Sequence, residues 1–277
     1  MKLVSFLRDG ALSTGALLPD DLVLDFNHAA AELPAADGPL EWCDLDGAPH
    51  QAARRLVDGV ESRMDELAAA GAIVPLGSVT LEAPVPRPGK VICIGLNYRD
   101  HAEESGMDIP ELPLVFSKFS SCVVGPEAEV VLPPGAKEVD YDAELGLVVH
   151  LLRARDFQFA DGQWQRGKSC ETFCPAGPFL ATADEIADPH ALRVRFRMNG
   201  ETLQDSSTDQ LIFGIPELIA HLTSFITLEP GDLISTGTPP GVGFARKPPI
   251  YIQPGDVMEV EVEGLGVLKN TAVGAEG

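Results

Sequence analysis

The sequence predicts a mostly-β protein of the α+β class, in which short strands predominate and a few helices are added. Three observations carry this prediction. Short apolar runs bounded by turn residues recur along the chain of 277 residues, as expected for strands. Residues 192–198 alternate apolar side chains with arginines and end at Asn199-Gly200, a strong hairpin signal. Residues 257–263 alternate apolar residues with glutamate, so one face of that strand is wet.

The first 85 residues differ in texture from the rest. They begin with apolar runs at residues 3–7 and 22–24, and an Asp9-Gly10 turn follows the first run. Residues 51–70 are rich in alanine and carry apolar residues at helical spacing. Prolines at positions 84, 86 and 88 then mark a boundary. We therefore predict a small N-terminal α+β domain over residues 1–85 and a larger domain over residues 86–277.

The larger region consists mostly of short strands. Residues 91–94 and 114–116 are compact apolar runs. One helix is expected from Pro216 onward, because proline is favoured in the first turn of a helix. Its apolar stripe is formed by Leu218, Ile219, Leu222, Phe225 and Ile226.

Composition excludes several classes of partner. The formal net charge of -22 would repel nucleic acids and anionic membrane surfaces, so neither is expected as a partner. A small anionic substrate remains compatible, because local cations decide its binding. No apolar run approaches the ~20 residues of a transmembrane helix, and the N-terminus is charged too early for a signal peptide. The five cysteines form no CxxC pair, which favours reduced thiols and a cytoplasmic location.

Two carboxylates lie two positions apart at Asp142 and Glu144. On a strand both would point to the same face, while Leu145, Leu147 and Val149 would line the other. Adjacent carboxylates repel each other unless a cation or a proton lies between them. Two solvated acids at a strand edge are the alternative, but the apolar run that follows indicates a strand entering a core. Oxygen ligands at this spacing suit Mg²⁺ or Mn²⁺.

His101 and Glu104 form a second candidate group. They are three residues apart, so on a helical turn the carboxylate could orient the imidazole as a general base for water. A solvated surface helix is the alternative, and spacing alone favours it. Gly95 and Gly106 flank the segment and would let it hinge as a lid.

The third candidate is the loop at residues 237–243, which follows an apolar run at residues 233–235. Three glycines and two prolines give it a shaped backbone, and its amides and the Thr238 hydroxyl could hold a carboxylate. An ordinary loop is the alternative. The Gly-Lys-Ser/Thr ending of a phosphate-binding loop is missing, so nucleotide binding is not indicated.

These segments, with others in the same order, resemble the fumarylacetoacetate hydrolase family over about two thirds of the chain. The matching motifs are residues 95–98 leading to His101, 116–118, 140–144, 153–158, 167–168, 172–178, 205–208 with 212–213, 230–232 and 235–243. The resemblance implies the mixed β-sandwich roll of that family, a small N-terminal domain before it, and a homodimer. It also implies a short 2-oxo acid as the substrate, and Mg²⁺ or Mn²⁺ held by Asp142, Glu144 and a third carboxylate.

The resemblance further assigns roles to individual side chains. His101 and Glu104 match the catalytic dyad of a lid, and Lys168 matches the lysine beside the oxo group of the substrate. Substrate-binding positions are matched by Tyr98, Arg155, Gln158 and Thr238. The leading hypothesis is a metal-dependent hydrolase that cleaves a C–C bond in a short acylpyruvate-type 2-oxo acid. The alternatives are a decarboxylase or isomerase of a 2-oxo diacid, and a repurposed family member with an impaired metal site.

The sequence departs from the family pattern at the metal site. Glutamate is usual at the position of Asp142, and the third ligand of relatives is an aspartate on a further strand. Only ten residues separate Glu144 from Arg155 here, and alignment back from Arg155 puts Leu151 at the aspartate position. Three explanations stay open: a segment missing from this sequence, a site rebuilt with His150 or Asp156, or a lost metal.

Overall fold

The computed structural model describes residues 1–29, 33–34, 39–146, 149–160 and 162–275. Strands and short helices alternate irregularly, which confirms the predicted α+β class. The elements of the N-terminal region are β1 (Lys2–Arg8), β2 (Ala11–Leu18), β3 (Leu22–Asp25), α1 (Pro39–Cys43), α2 (Ala48–Asp58), α3 (Met64–Ala69), β4 (Ile73–Pro75) and β5 (Thr80–Glu82).

The remaining elements belong to the larger region. They are β6 (Val91–Gly95), α4 (Arg99–Ser105), β7 (Leu114–Lys118), β8 (Val123–Val124), β9 (Glu129–Leu132), β10 (Val139–Glu144), β11 (Val149–Ala154), α5 (Arg155–Ala160), α6 (Trp164–Lys168), β12 (Cys174–Pro175), β13 (Leu180–Ala181), β14 (Arg193–Met198), β15 (Glu201–Ser207), α7 (Ile215–Thr223), β16 (Leu233–Ser235), β17 (Val257–Val262) and β18 (Gly266–Gly274).

The N-terminal sheet has the order β13-β1-β2-β3-β4, and β5 also pairs with β1. Its core joins the sheet to α2 and α3, with the rings of Phe26 and Trp42 4.8 Å apart. The helical stretch predicted over residues 51–70 is present but interrupted at Gly59, where α2 ends. Because β13 comes from the later chain, the sheet joins the two regions, and the division at residue 85 stays a prediction.

A five-stranded sheet, β15-β14-β17-β18-β9, carries most of the larger core. The predicted hairpin is confirmed: Asn199 and Gly200 have φ of 53° and 82°, the left-handed values of a tight two-residue turn. On the wet face, Arg195 donates to Glu261 at 2.8 Å. This cross-strand pair neutralises Glu261, one of the glutamates predicted on β17.

The helix predicted from Pro216 is α7, but it ends at Thr223. Leu218 and Leu222 are buried as predicted, whereas Ile219 and Phe225 are exposed. The apolar stripe is therefore narrower than the sequence indicated. Within the described residues, none of the helices combines the length and the apolar character that crossing a bilayer requires.

The hairpin of β10 and β11 positions the candidate site. Its core face packs against the five-stranded sheet, where the rings of Tyr141 and Phe196 stack at 4.4 Å. The strand predicted to continue to Val149 instead ends at Glu144, and β11 returns antiparallel to it. Gly146 packs closely on β16, because a Cβ added there would lie 2.6 Å from the carbonyl oxygen of Ile234. Residues 147–148 lie outside the described residues.

Candidate active site

The polar face of β10 carries three acids, at alternate positions: Asp140, Asp142 and Glu144. All three are at least 97% buried. The shared face predicted for Asp142 and Glu144 follows from the two-residue period of a strand. Buried carboxylates require partners, and each of these three has a different set.

Glu144 is held by the segment after β16. The Ser235 hydroxyl donates to its Oε2 at 2.5 Å, and the Gly237 amide donates to the same oxygen at 2.8 Å. Burial and the negative charge of Asp142 nevertheless raise the pKa of Glu144 to about 7.

Asp140 and Asp142 are paired with two arginines from the return strand and the helix after it. Arg155 donates to Asp140 from Nε at 2.8 Å, and its Nη2 forms an ion pair with the same oxygen at 2.7 Å. The Arg153 guanidinium binds Asp142 Oδ1 through Nη2, and its Nε lies 3.8 Å from Asp140 Oδ2. Two buried acids thus face two buried bases across the hairpin.

Lys168 ends α6 and is 96% buried. Its ammonium lies 4.0 Å from the ring centroid of Phe116, a cation–π contact. Burial and the nearby positive charge of Arg153 lower the pKa of Lys168 to about 7. Lys118 is a further buried cation of the site and donates to the carbonyl of Leu152 at 2.9 Å.

The lid segment is helix α4. His101 Nδ1 lies 3.1 Å from Glu104 Oε2, so the predicted dyad is present as a contact. Glu104 also accepts from the amide of Gly241 at 3.0 Å, which joins the lid to the glycine-rich loop. With Nδ1 bound to a carboxylate, the second ring nitrogen, Nε2, is the one left to act as a base.

The loop at residues 237–243 contacts both the acidic strand and helix α4. Its amides bind Glu144 through Gly237, the lid through Gly241, and Asp140 through Gly243 at 2.7 Å. Thr238 is fixed in this loop by Gln204, whose Nε2 donates to the threonine hydroxyl at 2.9 Å. Acidic strand, lid and loop therefore form one site.

Several buried polar atoms of this site have no hydrogen-bond partner within the described residues. They are the Tyr98 hydroxyl, Arg153 Nε and Gln158 Oε1. Tyr98 is completely buried, and burial raises its pKa well above the usual value. Unpartnered buried groups are rare in proteins and are typical of sites that bind ligands.

The donor set does not fit the three-carboxylate metal site that the resemblance implies. In the β10–β11 ladder the residue opposite Asp142 is Leu151, which has no oxygen to offer. Asp156 is engaged elsewhere, accepting from the amide of Lys137 at 2.8 Å. Nothing is described of the His150 side chain. Among the described residues, no three histidine, cysteine or acidic side chains are grouped as a metal site requires.

A cavity of about 520 Å³ lies beside β16. Its lining is mainly apolar and includes Leu145, Phe179, Leu218, Leu233 and Leu265. A charged 2-oxo acid would lose its hydration there without gaining hydrogen bonds. We therefore place the candidate active site at the polar face of β10.

Sequence reasoning missed the contributions of Arg153, Gln204 and Ser235. A polar residue at a buried position of an alternating strand is a usable signal, and Gln204 on β15 provides one. Arg153 is two residues from Leu151, so it lies diagonally across the ladder from Asp142. That relation is visible only when the register of the hairpin is known.

Comparison with known proteins identifies the family to which this chain is similar. The model of the fumarylacetoacetate hydrolase C-terminal domain matches residues 90–152 and 150–273. The mitochondrial oxaloacetate tautomerase Fahd2a of Rattus norvegicus is 46% identical over 230 aligned positions, covering 75% of this chain and 74% of that protein.

Solved structures agree. A fumarylacetoacetate hydrolase from Exiguobacterium antarcticum is 30% identical with a TM-score of 0.79, covering 99% of this chain and 100% of its own. A maleylpyruvate hydrolase from Sphingobium sp. SYK-6, in complex with manganese(II) and pyruvate, is 28% identical with a TM-score of 0.71, and both chains are covered completely. Fold and site thus define a class of enzymes that act on small molecules. Within it, this chain belongs to the fumarylacetoacetate hydrolase family.

The alignment with the rat protein contains gaps on the side of this chain. The alignment has 230 positions, but it covers 75% of the 277 residues of this chain, which is about 208 residues. At about 22 positions, therefore, the rat protein has a residue and this chain has none. The family model is matched in two pieces that meet at residues 150–152, within β11. Both observations agree with the short connection between β10 and β11.

Proposed function

We propose that this protein catalyses proton transfer on a short 2-oxo diacid, interconverting its keto and enol forms as the oxaloacetate tautomerases do. The observation that carries the proposal is the concentration of buried cations at one site of a strongly acidic chain. Lys118, Arg153, Arg155 and Lys168 are each at least 91% buried. Arg153 and Arg155 are paired with Asp142 and Asp140, so in a protein of net charge -22 the buried cations that remain to favour a small anionic ligand are Lys118 and Lys168.

The reaction requires one C–H bond to break and one O–H bond to form. A base takes a proton from the carbon next to the oxo group, and the electron pair moves to the oxo oxygen, which is then protonated. His101, oriented by Glu104 at 3.1 Å, is the proposed base. Lys168 is the proposed partner of the oxygen, since a positive charge there is worth most as the enolate forms. A pKa of about 7 would also let this lysine release its proton to that oxygen.

The substrate-binding roles proposed for the remaining residues follow from their hydrogen-bonding capacity. The free hydroxyl of Tyr98 can donate to a substrate oxygen, and the free Oε1 of Gln158 can accept from the hydroxyl of the enol form. Thr238, held by Gln204, and the amides of its loop are suited to a carboxylate. Arg155 is committed to Asp140 by a hydrogen bond and an ion pair, so its proposed contribution is charge.

Hydrolysis of a C–C bond in an acylpyruvate is the second candidate. The His101–Glu104 dyad favours it, because the same base could activate water. Two of the compared structures are named as hydrolases. We prefer tautomerisation to hydrolysis because the rat protein that is 46% identical to this chain is named an oxaloacetate tautomerase.

Product analysis with the purified chain separates the candidates. We expect the ultraviolet absorbance of enol oxaloacetate to decay faster with enzyme than in the matched buffer, without release of pyruvate or CO₂. Pyruvate formed from an acylpyruvate, without faster tautomerisation, would replace this proposal with the hydrolase. CO₂ release from oxaloacetate would indicate a decarboxylase, and no turnover of either substrate would indicate a repurposed fold.

A further inference from the structure

We infer that the Arg153 guanidinium takes the place of the divalent cation in this chain, so that its active site carries a built-in cation and binds neither Mg²⁺ nor Mn²⁺. The inference concerns binding of the ion and does not depend on which reaction the site performs.

The first argument is the position of the guanidinium. Arg153 lies opposite Asp140 and diagonal to Asp142 on the polar face of the hairpin. It binds Asp142 through Nη2 and lies within ion-pair distance of Asp140 through Nε. A cation held between carboxylates is what the acidic strand requires, and the side chain supplies it at 91% burial.

The second argument is the missing ligand. Leu151, opposite Asp142, is 99% buried and packs in a cluster with Cys93, Cys122 and Cys174. The pairing of β10 with β11 therefore places the apolar side chain of Leu151 at the position where a third oxygen ligand would be needed. Asp140, the third acid of the strand, is already bound by Arg155 and Gly243. A hard divalent ion needs six or more oxygen ligands and loses hydration water reluctantly, so Asp142 and Glu144 alone hold it poorly.

The third argument is electrostatic. A divalent ion beside Asp142 would also lie beside the positive charge of Arg153. Lys168 is close enough to interact electrostatically with both Asp142 and Arg153. Arg153 cannot lose its proton to relieve the repulsion. Of the two predicted ligands, Glu144 already has one oxygen engaged by Ser235 and Gly237.

The chemical consequence is a fixed, planar donor at the site. The Nε of Arg153 is buried and has no hydrogen-bond partner within the described residues. A guanidinium donates in a fork that matches the oxygens of a carboxylate. Because the edge formed by Nε and Nη2 faces Asp140 and Asp142, Arg153 would act on the oxo acid of the proposed function through its charge.

The test is Mn²⁺ binding to the full-length chain, freed of metal by chelator and measured by electron paramagnetic resonance of the unbound ion. For the native chain we expect no stoichiometric binding at millimolar Mn²⁺, with or without oxalate. For the double variant Leu151→Asp/Arg153→Ser we expect one bound equivalent, at least about tenfold tighter than any binding to the native chain.

A matched control separates a site from general attraction to an acidic protein. Leu12→Asp/Arg193→Ser changes the net charge by the same amount at two exposed positions and should bind no more Mn²⁺ than the native chain. Circular dichroism reports whether the double variant folds. If the double variant does not fold, Mn²⁺ binding is measured on the single variant Arg153→Ser.

One equivalent of Mn²⁺ on the native chain, in either condition, would overturn the inference whatever the variants do. Failure of the folded variants to gain a site would also overturn it, since Arg153 and Leu151 would then not be what excludes the ion. Because ion binding is measured without turnover, failure of the proposed tautomerase activity leaves this result readable.

Discussion

The amide of Gly241 donates to both carboxylate oxygens of Glu104, at 3.0 Å each, and so joins the glycine-rich loop to the lid. The same carboxylate contacts the His101 ring at 3.1 Å. A second contact holds the start of the helix, where Ser206 donates to Asp100 at 2.5 Å. Helix α4 is thus held by hydrogen bonds to charged acceptors, which are stronger than neutral ones.

Removing the carboxylate of Glu104 should loosen this closure. For Glu104→Ala we expect KM to rise about fivefold, the equivalent of ~1 kcal/mol for one partly exposed charged hydrogen bond. Hydrogen exchange of the α4 amides should become faster. Glu103→Ala is the matched control, because Glu103 is an exposed neighbour on the same helix. An equal effect of both substitutions would contradict the contact to Gly241 as the cause.

Replacing His101 should remove the proposed base. For His101→Gln we expect kcat for tautomerisation to fall by ~10²–10⁴-fold, the usual contribution of a general base. Exposed His28→Gln should leave kcat unchanged. A fall in affinity for the substrate without a change in kcat would assign His101 to binding only.

The parts of the site that the sequence revealed are those that depend on local periodicity. Asp142 and Glu144 share a face because side chains alternate on a strand. His101 and Glu104 meet because residues three apart are neighbours on a helix. The turn at Asn199-Gly200 fixed the pairing of β14 and β15 for the same local reason.

The parts that it missed depend on pairing between distant segments. The apolar run at residues 145–149 fits one long strand, but β10 ends at Glu144 and β11 begins at Val149 and runs antiparallel to it. The resulting register sets Leu151 opposite Asp142. Gln204 reaches Thr238 across 34 positions, a contact that no local pattern encodes.

Lys168 should act on the transition state more than on the bound substrate. For Lys168→Met we expect kcat to fall by ~10²–10³-fold, as for loss of one donor to a developing oxyanion, with a smaller change in KM. Methionine keeps most of the buried volume, so the comparison reports the charge. Lys137→Met, on an exposed loop, is the control. A change confined to KM would make Lys168 a substrate anchor.

Asp140 should be a determinant of stability. It accepts from Arg155, from Gly243 at 2.7 Å and from the amide of Tyr141. Asp140→Asn removes the charge and leaves buried Arg155 unpaired, so we expect the free energy of unfolding to fall by ~3 kcal/mol. Asp205→Asn breaks the exposed pair with Arg193 and should cost no more than ~1 kcal/mol. Urea unfolding measures both, and equal costs would contradict the role of burial.

The shape of the glycine-rich loop should depend on Gly243. A Cβ at this position would lie 1.8 Å from the carbonyl oxygen of Ile250 and 2.8 Å from Asp140 Oδ1, so the backbone must move. For Gly243→Ala we expect a loss of ~1–3 kcal/mol in the free energy of unfolding, the usual cost of overpacking. KM should rise as well, because the shift displaces Thr238 and Gly241 in the same loop.

Gly77→Ala is the control for that substitution. A Cβ at Gly77 would meet no atom within 4 Å, so alanine should be neutral or stabilise the chain by up to ~1 kcal/mol through the unfolded state. Urea unfolding and KM measured on both variants decide between local crowding and a general effect of alanine. If Gly243→Ala matched Gly77→Ala in stability and KM, the loop could not be held as closely to Ile250 and Asp140 as its contacts indicate.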